Sequence, residues 1–331
     1  LTLCAKALRC LSCNFAREML SSQVAVRTLL RLIDMKDLDL RRTGARMLTN
    51  ILLQTNHNDE EFHRQVVDNM LPLARSENKE LNELCVICLC LASQSESCRT
   101  GIVSSGMLQM IDSSTIFSDP TVTYAYITMF GNIANNPAMR SRVLDDHLIE
   151  RFERICESRK HTLYVAVAKA LYCLSCSAEN VPKLVDQNIV PMIESMANSA
   201  REEAESVELL SHLIACLYNL STVVEVQHKL VSQRFVPVIL ALWPDARKDK
   251  DLCMLSYMSI CHLACGKTNT TQMVNDGCTD ILCFISEYKK SSTYRNYNFT
   301  VDLHYRCSAA LRNLLSVVAN QSSMVAQGCL N

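Results

Sequence analysis

The residues in this chain best suited to chemistry are its cysteines and histidines. Three C-x-x-C pairs, Cys10/Cys13, Cys85/Cys88 and Cys173/Cys176, are joined by a denser cluster, Cys261-His262-x-x-Cys265. Thiolates and imidazoles hold zinc, but a structural zinc site needs four of them converging on a tetrahedron. A spacing of three sets both thiols on one face of a helix, and each pair falls in a separate apolar segment. Core packing is the reading, because free cysteine behaves as a small hydrophobe, and no metal ligand is assigned. Gly266-Lys267-Thr268 has the ending of a phosphate-binding loop, yet the position that requires the first glycine holds Cys261. A nucleophile elbow, an H-E-x-x-H pair and a dinucleotide fingerprint are all missing from the sequence. The sequence therefore predicts no catalytic residue, no cofactor and no enzyme.

The elements that must carry these residues follow from composition. The 331 residues include 7 Gly and 7 Pro, against about 23 and about 16 at average usage. Turn-rich β folds and glycine-rich loops consume both, so a nearly all-helical chain is expected. Hydrophobic residues make up 49% and charged residues 20%, which excludes general disorder. Lys+Arg is 33 against Asp+Glu 34, a net charge of -1 that argues against dominance by phosphate-backbone attraction. The sequence contains no apolar run of about 18 residues, so no membrane-spanning segment is expected. Its 18 cysteines sit inside apolar stretches such as Ala170-Leu171-Tyr172-Cys173-Leu174-Ser175-Cys176. That usage points to a reducing, intracellular setting, most simply the cytoplasm. Sequons at Asn219, Asn269, Asn298 and Asn320 carry no weight there.

One block recurs along the chain: small or apolar residues, then Leu-x-[Asn/Cys]-[Leu/Ile], then a small or polar break. It reads Ala7-Leu8-Arg9-Cys10-Leu11-Ser12, Met47-Leu48-Thr49-Asn50-Ile51-Leu52 and Met129-Phe130-Gly131-Asn132-Ile133-Ala134. It returns at Ala170–Ser175, as Cys216-Leu217-Tyr218-Asn219-Leu220-Ser221, and as Ala310-Leu311-Arg312-Asn313-Leu314-Leu315. Weaker copies centre on Cys90 and His262. Anchors at Cys10, Asn50, Cys90, Asn132, Cys173, Asn219, His262 and Asn313 are spaced by 40, 40, 42, 41, 46, 43 and 51 residues. That period suits units of two or three helices. A proline slot repeats as well, in Ile189-Val190-Pro191, Phe235-Val236-Pro237 and Met70-Leu71-Pro72, where a first-turn proline sacrifices no helix hydrogen bond.

With these blocks the chain resembles the armadillo repeat family of β-catenin-like helical repeats, over nearly all of its length. The resemblance implies an all-α fold, a right-handed α-solenoid (superhelix) of about seven to eight armadillo-type repeats, each with a short first helix and two longer ones. Two-helix HEAT repeats are the nearest alternative, and the proline slot and the Asn-bearing last helix favour armadillo. The parse is a single solenoid over 1–331. It runs as a last helix over 1–14, repeats over 15–54, 55–94, 95–135, 136–176, 177–222, 223–266 and 267–317, and the start of a further unit over 318–331. Both ends fall inside a repeat, so the chain reads as a segment of a longer array.

The resemblance also implies a site. In armadillo proteins the third helices line a concave groove, and an Asn on each clamps the main chain of an extended peptide. An amide can do this because it offers a donor and an acceptor together; the alternative is that it bonds within the stack. One turn before the anchors, where importin-α-like members carry Trp, stand Lys6, Arg46, Val86, Thr128, Lys169, Ala215, Met258 and Ala309. None is Trp, so a receptor for basic import signals is not expected, and Lys6, Arg46 and Lys169 favour carboxylates in a bound segment. The groove candidates are thus Lys6, Arg46, Asn50, Asn132, Lys169, Asn219, His262 and Asn313.

Two stretches exceed the basic period. Residues 195–208 read as a solvated helix extension, and 286–300 read as an inserted loop carrying Tyr288, Lys289, Lys290, Tyr294, Arg295 and Tyr297. The functional expectation is a scaffold or adaptor that binds one or more proteins, through an extended peptide or a helical surface, within a larger assembly. A nucleic-acid-associated repeat using the Tyr/Lys/Arg loop and a regulator of a small GTPase are the alternatives.

Overall fold

A computed structural model describes Ala7, Cys10, Ser12, Leu108, Ile116 and residues 23–54, 60–74, 76–106, 119–145, 147–157, 160–202, 207–266, 269–287 and 297–329. The chain divides into two compact units, Leu1–Asp145 and Asp146–Asn331. The first holds α1 (Gln23–Ile33), α2 (Leu38–Gln54), α3 (Glu60–Ala74), α4 (Lys79–Ala92), α5 (Glu96–Ser104), α6 (Pro120–Ala134) and α7 (Arg140–Val143). The second begins with α8 (Leu148–Cys156), α9 (His161–Ser175), α10 (Val181–Asp186), α11 (Ile189–Glu202) and α12 (Val207–Ser221). A 3-10 turn at Val224–Val226 leads into α13 (Gln227–Ser232), α14 (Phe235–Ala246) and α15 (Lys250–Ala264). The unit continues through α16 (Thr270–Asn275), α17 (Thr279–Glu287), α18 (Tyr297–Leu315) and α19 (Val318–Ala326). No strand occurs among the described residues.

Local sequence explains where the long last helices start and stop. Asn78 caps α4 by accepting from the Leu81 amide at 3.2 Å, and Asp119 caps α6 by accepting from Thr121 at 2.7 Å, with Pro120 at the first helical position. Asp249 accepts from both Asp251 and Leu252 ahead of α15. Each cap satisfies amides that have no partner inside the helix. The far ends are closed by side chains six residues on. Arg99 donates to Ser93 O and Arg140 to Ala134 O, both at 2.8 Å; Asn180 donates to Leu174 O at 3.1 Å, Gln227 to Ser221 O at 3.0 Å and Asn320 to Leu314 O at 2.9 Å. Carbonyls that a helix end would leave unbonded are thereby taken up at every such corner.

Packing joins like helix to like within each unit. In the second, α9, α12, α15 and α18 stack in sequence, α8, α11 and α14 form another row, and α16 packs on α19. In the first, α2, α4 and α6 stack in the same way. The amphipathic pattern explains why: α8 buries Leu148, Ile149, Phe152, Ile155 and Cys156, one stripe at helical spacing. Each helix buries that stripe on its neighbours, so no repeat has a core of its own.

The corner from first to second helix needs a left-handed residue. Asn188 (φ 60°), Arg234 (φ 67°) and Gly277 (φ 89°) occupy it in successive repeats, and Gly106 and Gly328 also have positive φ. At Gly277 a Cβ would stand 3.4 Å from Leu240 Cδ1, so both backbone and packing favour glycine there. Three of the scarce glycines thus serve a specific turn.

The prolines divide. Pro191 and Pro237 are the third residues of α11 and α14, inside the first turn as expected. Pro72 is not in a first turn: α3 runs unbroken from Glu60 to Ala74, which places it in the last turn. Residues 286–300 are also not all loop, because α17 extends to Glu287 and α18 begins at Tyr297.

Candidate functional site

The anchor residues lie near the ends of the last helices, and their polar atoms act between repeats. In the first unit Asn50 Nδ2 donates to Ser12 Oγ at 3.3 Å, and Asn132 Nδ2 donates to Ser93 Oγ at 2.9 Å. In the second, Asn219 Nδ2 donates to Ser175 Oγ at 3.1 Å, and His262 Nδ1 sits 3.0 Å from Ser221 Oγ. The serines pass the bond on: Ser93 donates to Cys90 O, Ser175 to Tyr172 O and Ser221 to Tyr218 O, at 2.6, 2.8 and 2.7 Å. A hydroxyl has one proton, so each serine accepts from the next repeat while donating to its own helix. With the Ser221 proton on Tyr218 O, His262 completes the same pattern as the Nδ1–H tautomer.

The relay corrects one register. Ser93 stands to Cys90 as Ser221 stands to Tyr218, so the residue matching Asn219 is Leu91, one beyond the expected Cys90. Burial agrees, because Val86, assigned to the groove position one turn earlier, is 1% exposed in the core, and Ile87 takes that place at the surface. The anchor type then tracks the residue two after the preceding anchor. Ser12, Ser93, Ser175 and Ser221 precede Asn50, Asn132, Asn219 and His262, whereas Leu52 precedes Leu91. Asn313 breaks the rule, with Ala264 offering no hydroxyl at the matching position.

The remaining candidates fall as follows. Lys6, Tyr288, Lys289, Lys290, Tyr294 and Arg295 lie outside the described residues; Tyr297 opens α18, and its side chain lies outside them too. Arg46 is exposed and pairs with Glu80, which Arg42 also engages at 2.8 Å, so its charge is met within the chain. Lys169 is exposed on α9. Tyr172 and Tyr218, each just before an anchor, contact histidines of the next repeat. The Tyr172–His212 rings are 5.8 Å apart and the Tyr218–His262 rings 5.5 Å. Sequence reasoning missed these tyrosines, His212 and the relay serines. The serines were visible as the polar break closing each block, but nothing in one sequence marks that break as an acceptor.

Both histidines are held below the ordinary imidazole range. Burial is the main cause for His212, with Lys169 adding to it and Glu208 opposing; for His262 it is burial and then Arg306. Both rings are therefore neutral at pH 7. The cysteines behave as core residues. Cys85 donates to Met70 O at 3.6 Å and Cys88 to Ala45 O at 3.8 Å, and burial pushes the Cys88 thiol up to about 12. Cys261 is buried while Cys265 is exposed. Among the described residues no group of three His, Cys, Asp or Glu side chains is placed to hold a metal ion. Trp243 packs edge-on against Phe284 at 5.2 Å, in the second-helix row rather than on the last helices. Of the sequon residues, Asn269 and Asn320 are buried.

Short and long helices in repeating rows, joined corner by corner, define a three-helix repeat of the armadillo kind. No family model matches the chain and no curated protein does. Solved structures do match. An engineered protein aligns at 18% identity with a TM-score of 0.68, covering 94% of this chain and 73% of its own. A structure reported for a phosphorylation switch in the interaction between cadherin and beta-catenin aligns at 16% identity and TM-score 0.67, over 96% of this chain and 66% of that one. A designed armadillo repeat protein in complex with a (KR)4 peptide aligns at 12% identity and TM-score 0.53, over 65% and 91%. At these identities the likeness establishes the fold: the chain is an armadillo-like all-α helical repeat. Among the described residues no single helix is long and apolar enough to cross a membrane.

Proposed function

We propose that the chain is a non-enzymatic scaffold that binds a carboxylate-bearing segment of a partner protein along the last helices of its second unit. The supporting observation is one row running from α9 to α15, with Lys169 exposed and the rings beside it half-buried. Lys169 pairs with no carboxylate among the described residues, and Tyr172, His212, Tyr218 and His262 follow it as two ring contacts. Tyrosine supplies rigid contact area at low entropic cost, and lysine selects the sign of the ligand.

The relay changes the part the asparagines play. Asn132 and Asn219 each give one amide N–H to a serine in the stack, and among the described residues their Oδ1 atoms accept no hydrogen bond. Each amide therefore keeps its acceptor for a peptide N–H, while Asn219 also turns its NH2 toward Cys176 Sγ at 3.4 Å. Partner capture from native cells with wild type and Lys169→Glu is the test. Charge reversal should reduce recovery of the same acidic partner about tenfold or more. Asn219→Ala should weaken capture while leaving helicity intact. Equal recovery by folded wild-type, Lys169→Glu and Asn219→Ala proteins sinks the groove reading.

A further inference from the structure

Two thiols from successive repeats meet beyond the last-helix face. Cys283, in α17, and Cys329, in the turn after α19, are both half-buried with Sγ atoms 3.6 Å apart. The turn bearing Cys329 is a structural copy of the one bearing Cys278. Gly328 N and Cys329 N donate to Val325 O and Met324 O, both at 3.1 Å, as Gly277 N and Cys278 N donate to Val274 O and Met273 O at the same distance. Gln327 locks the two corners in register, because its Nε2 donates to Val274 O at 3.3 Å and its Oε1 accepts from Thr279 Oγ1. The corresponding residues after Asn188 and Arg234 are Ile189 and Phe235, so thiols replace bulky apolar side chains at this end of the unit.

We propose that Cys283 and Cys329 are a modification site, forming a reversible disulfide by exchange with a low-molecular-weight disulfide such as oxidised glutathione. A disulfide needs the sulfurs at about 2.05 Å, so side-chain rotation must close about 1.5 Å, while Gln327 keeps the two corners in place. Burial, and the hydrogen bond that the Cys329 thiol gives Cys283, push Cys329 up to about 12, so Cys329 holds its proton and Cys283 makes the first attack. Cys283 loses its proton, and its thiolate attacks one sulfur of the oxidant. A mixed disulfide forms as the oxidant's S–S bond breaks and one glutathione thiolate leaves. Cys329, deprotonated as it reacts, then attacks the Cys283 sulfur, and the second glutathione thiolate departs. Two protein thiols are oxidised, one glutathione disulfide is reduced to two thiols, and the two protons end on glutathione. The product ties α17 to the turn after α19. In a reducing compartment such a bond would be transient and would report oxidation rather than provide permanent structure.

The test equilibrates the folded chain with oxidised and reduced glutathione in varied ratio, traps thiols by alkylation and digests without reduction. Cleavage before Asp280 separates Cys278 from Cys283, and cleavage after Lys289 and Arg312 isolates peptides 280–289 and 313–331, with one cysteine each. Expected is a species joining these two peptides, lighter than their sum by two hydrogens, dominant under excess oxidant and abolished by dithiothreitol. Cys283→Ser should leave peptide 313–331 unlinked. Overturning results are separately alkylated or separately glutathionylated Cys283 and Cys329 under excess oxidant, or linkage of Cys329 to Cys278. Because wild type alone gives the decisive product, a variant that folds poorly does not blunt the test.

Discussion

Replacing Ser175 by Ala probes the inter-repeat relay with little other change. Ser175 is 2% exposed, and its Oγ accepts from Asn219 Nδ2 at 3.1 Å while donating to Tyr172 O at 2.8 Å. The alanine removes both bonds and the hydrogen bond that Ser175 shares with the buried Cys216 thiol. Tyr172 O still accepts from the Cys176 amide at 3.2 Å, and Asn219 Nδ2 keeps a weak acceptor in Cys176 Sγ at 3.4 Å. The thiol is a weak hydrogen-bonding group, so the cost should be close to one net hydrogen bond, about 1 kcal/mol. Asn219→Ala should cost about the same, because Ser175 keeps its bond to Tyr172. If the two side chains act on each other, the double variant costs only slightly more than either single one, a coupling of about 0.5–1 kcal/mol. Urea unfolding followed by circular dichroism gives the cycle, and amide exchange in α9 and α12 reports whether the loss is local, since repeat arrays can depart from two-state unfolding. Additive costs with no coupling, or an Asn219→Ala variant as stable as wild type, would refute the relay.

Three further outcomes are expected. His212 and His262 have folded pKa values below the ordinary 6.5, so the unfolded chain takes up protons first; their contribution to stability is full above 6.5 and declines as pH falls through it, and His262→Gln should flatten that decline in a pH series of urea midpoints. Arg234→Gly relieves a left-handed backbone worth about 1 kcal/mol and loses a long exposed contact to Glu194 at 3.9 Å and a surface attraction to Asp276, both weak in water, so its urea midpoint should rise. Gly277→Ala should lower stability by about 1 kcal/mol or more, read as a lower urea midpoint, because of a φ of 89° and the approach of Leu240.

Much of the local structure was legible because it depends on neighbours in sequence. The prolines of α11 and α14 sit where a first turn tolerates them. Pro72 shows where this stops: the same Met-Leu-Pro-Leu reading applies, yet α3 runs through it to Ala74. The misplaced anchor at Cys90 has a similar origin. Leu89-Cys90-Leu91-Ala92 fits the block in two registers, and the choice falls to a bond from Asn132, 39 residues away.

The 40-odd-residue period, the scarcity of glycine and the apolar stripes determined by themselves that the chain is a stack of helical units, because a repeated amphipathic unit too small for its own core buries its face on the next copy. Tertiary structure alone decided that Asn50, Asn132 and Asn219 each bond to a serine of the preceding repeat. A side-chain amide can face a peptide or its neighbour in the stack, and the sequence is the same in either case. The serine two residues after the previous anchor, brought within 3.1 Å of Asn219 only when repeat packs on repeat, takes one amide N–H into the stack.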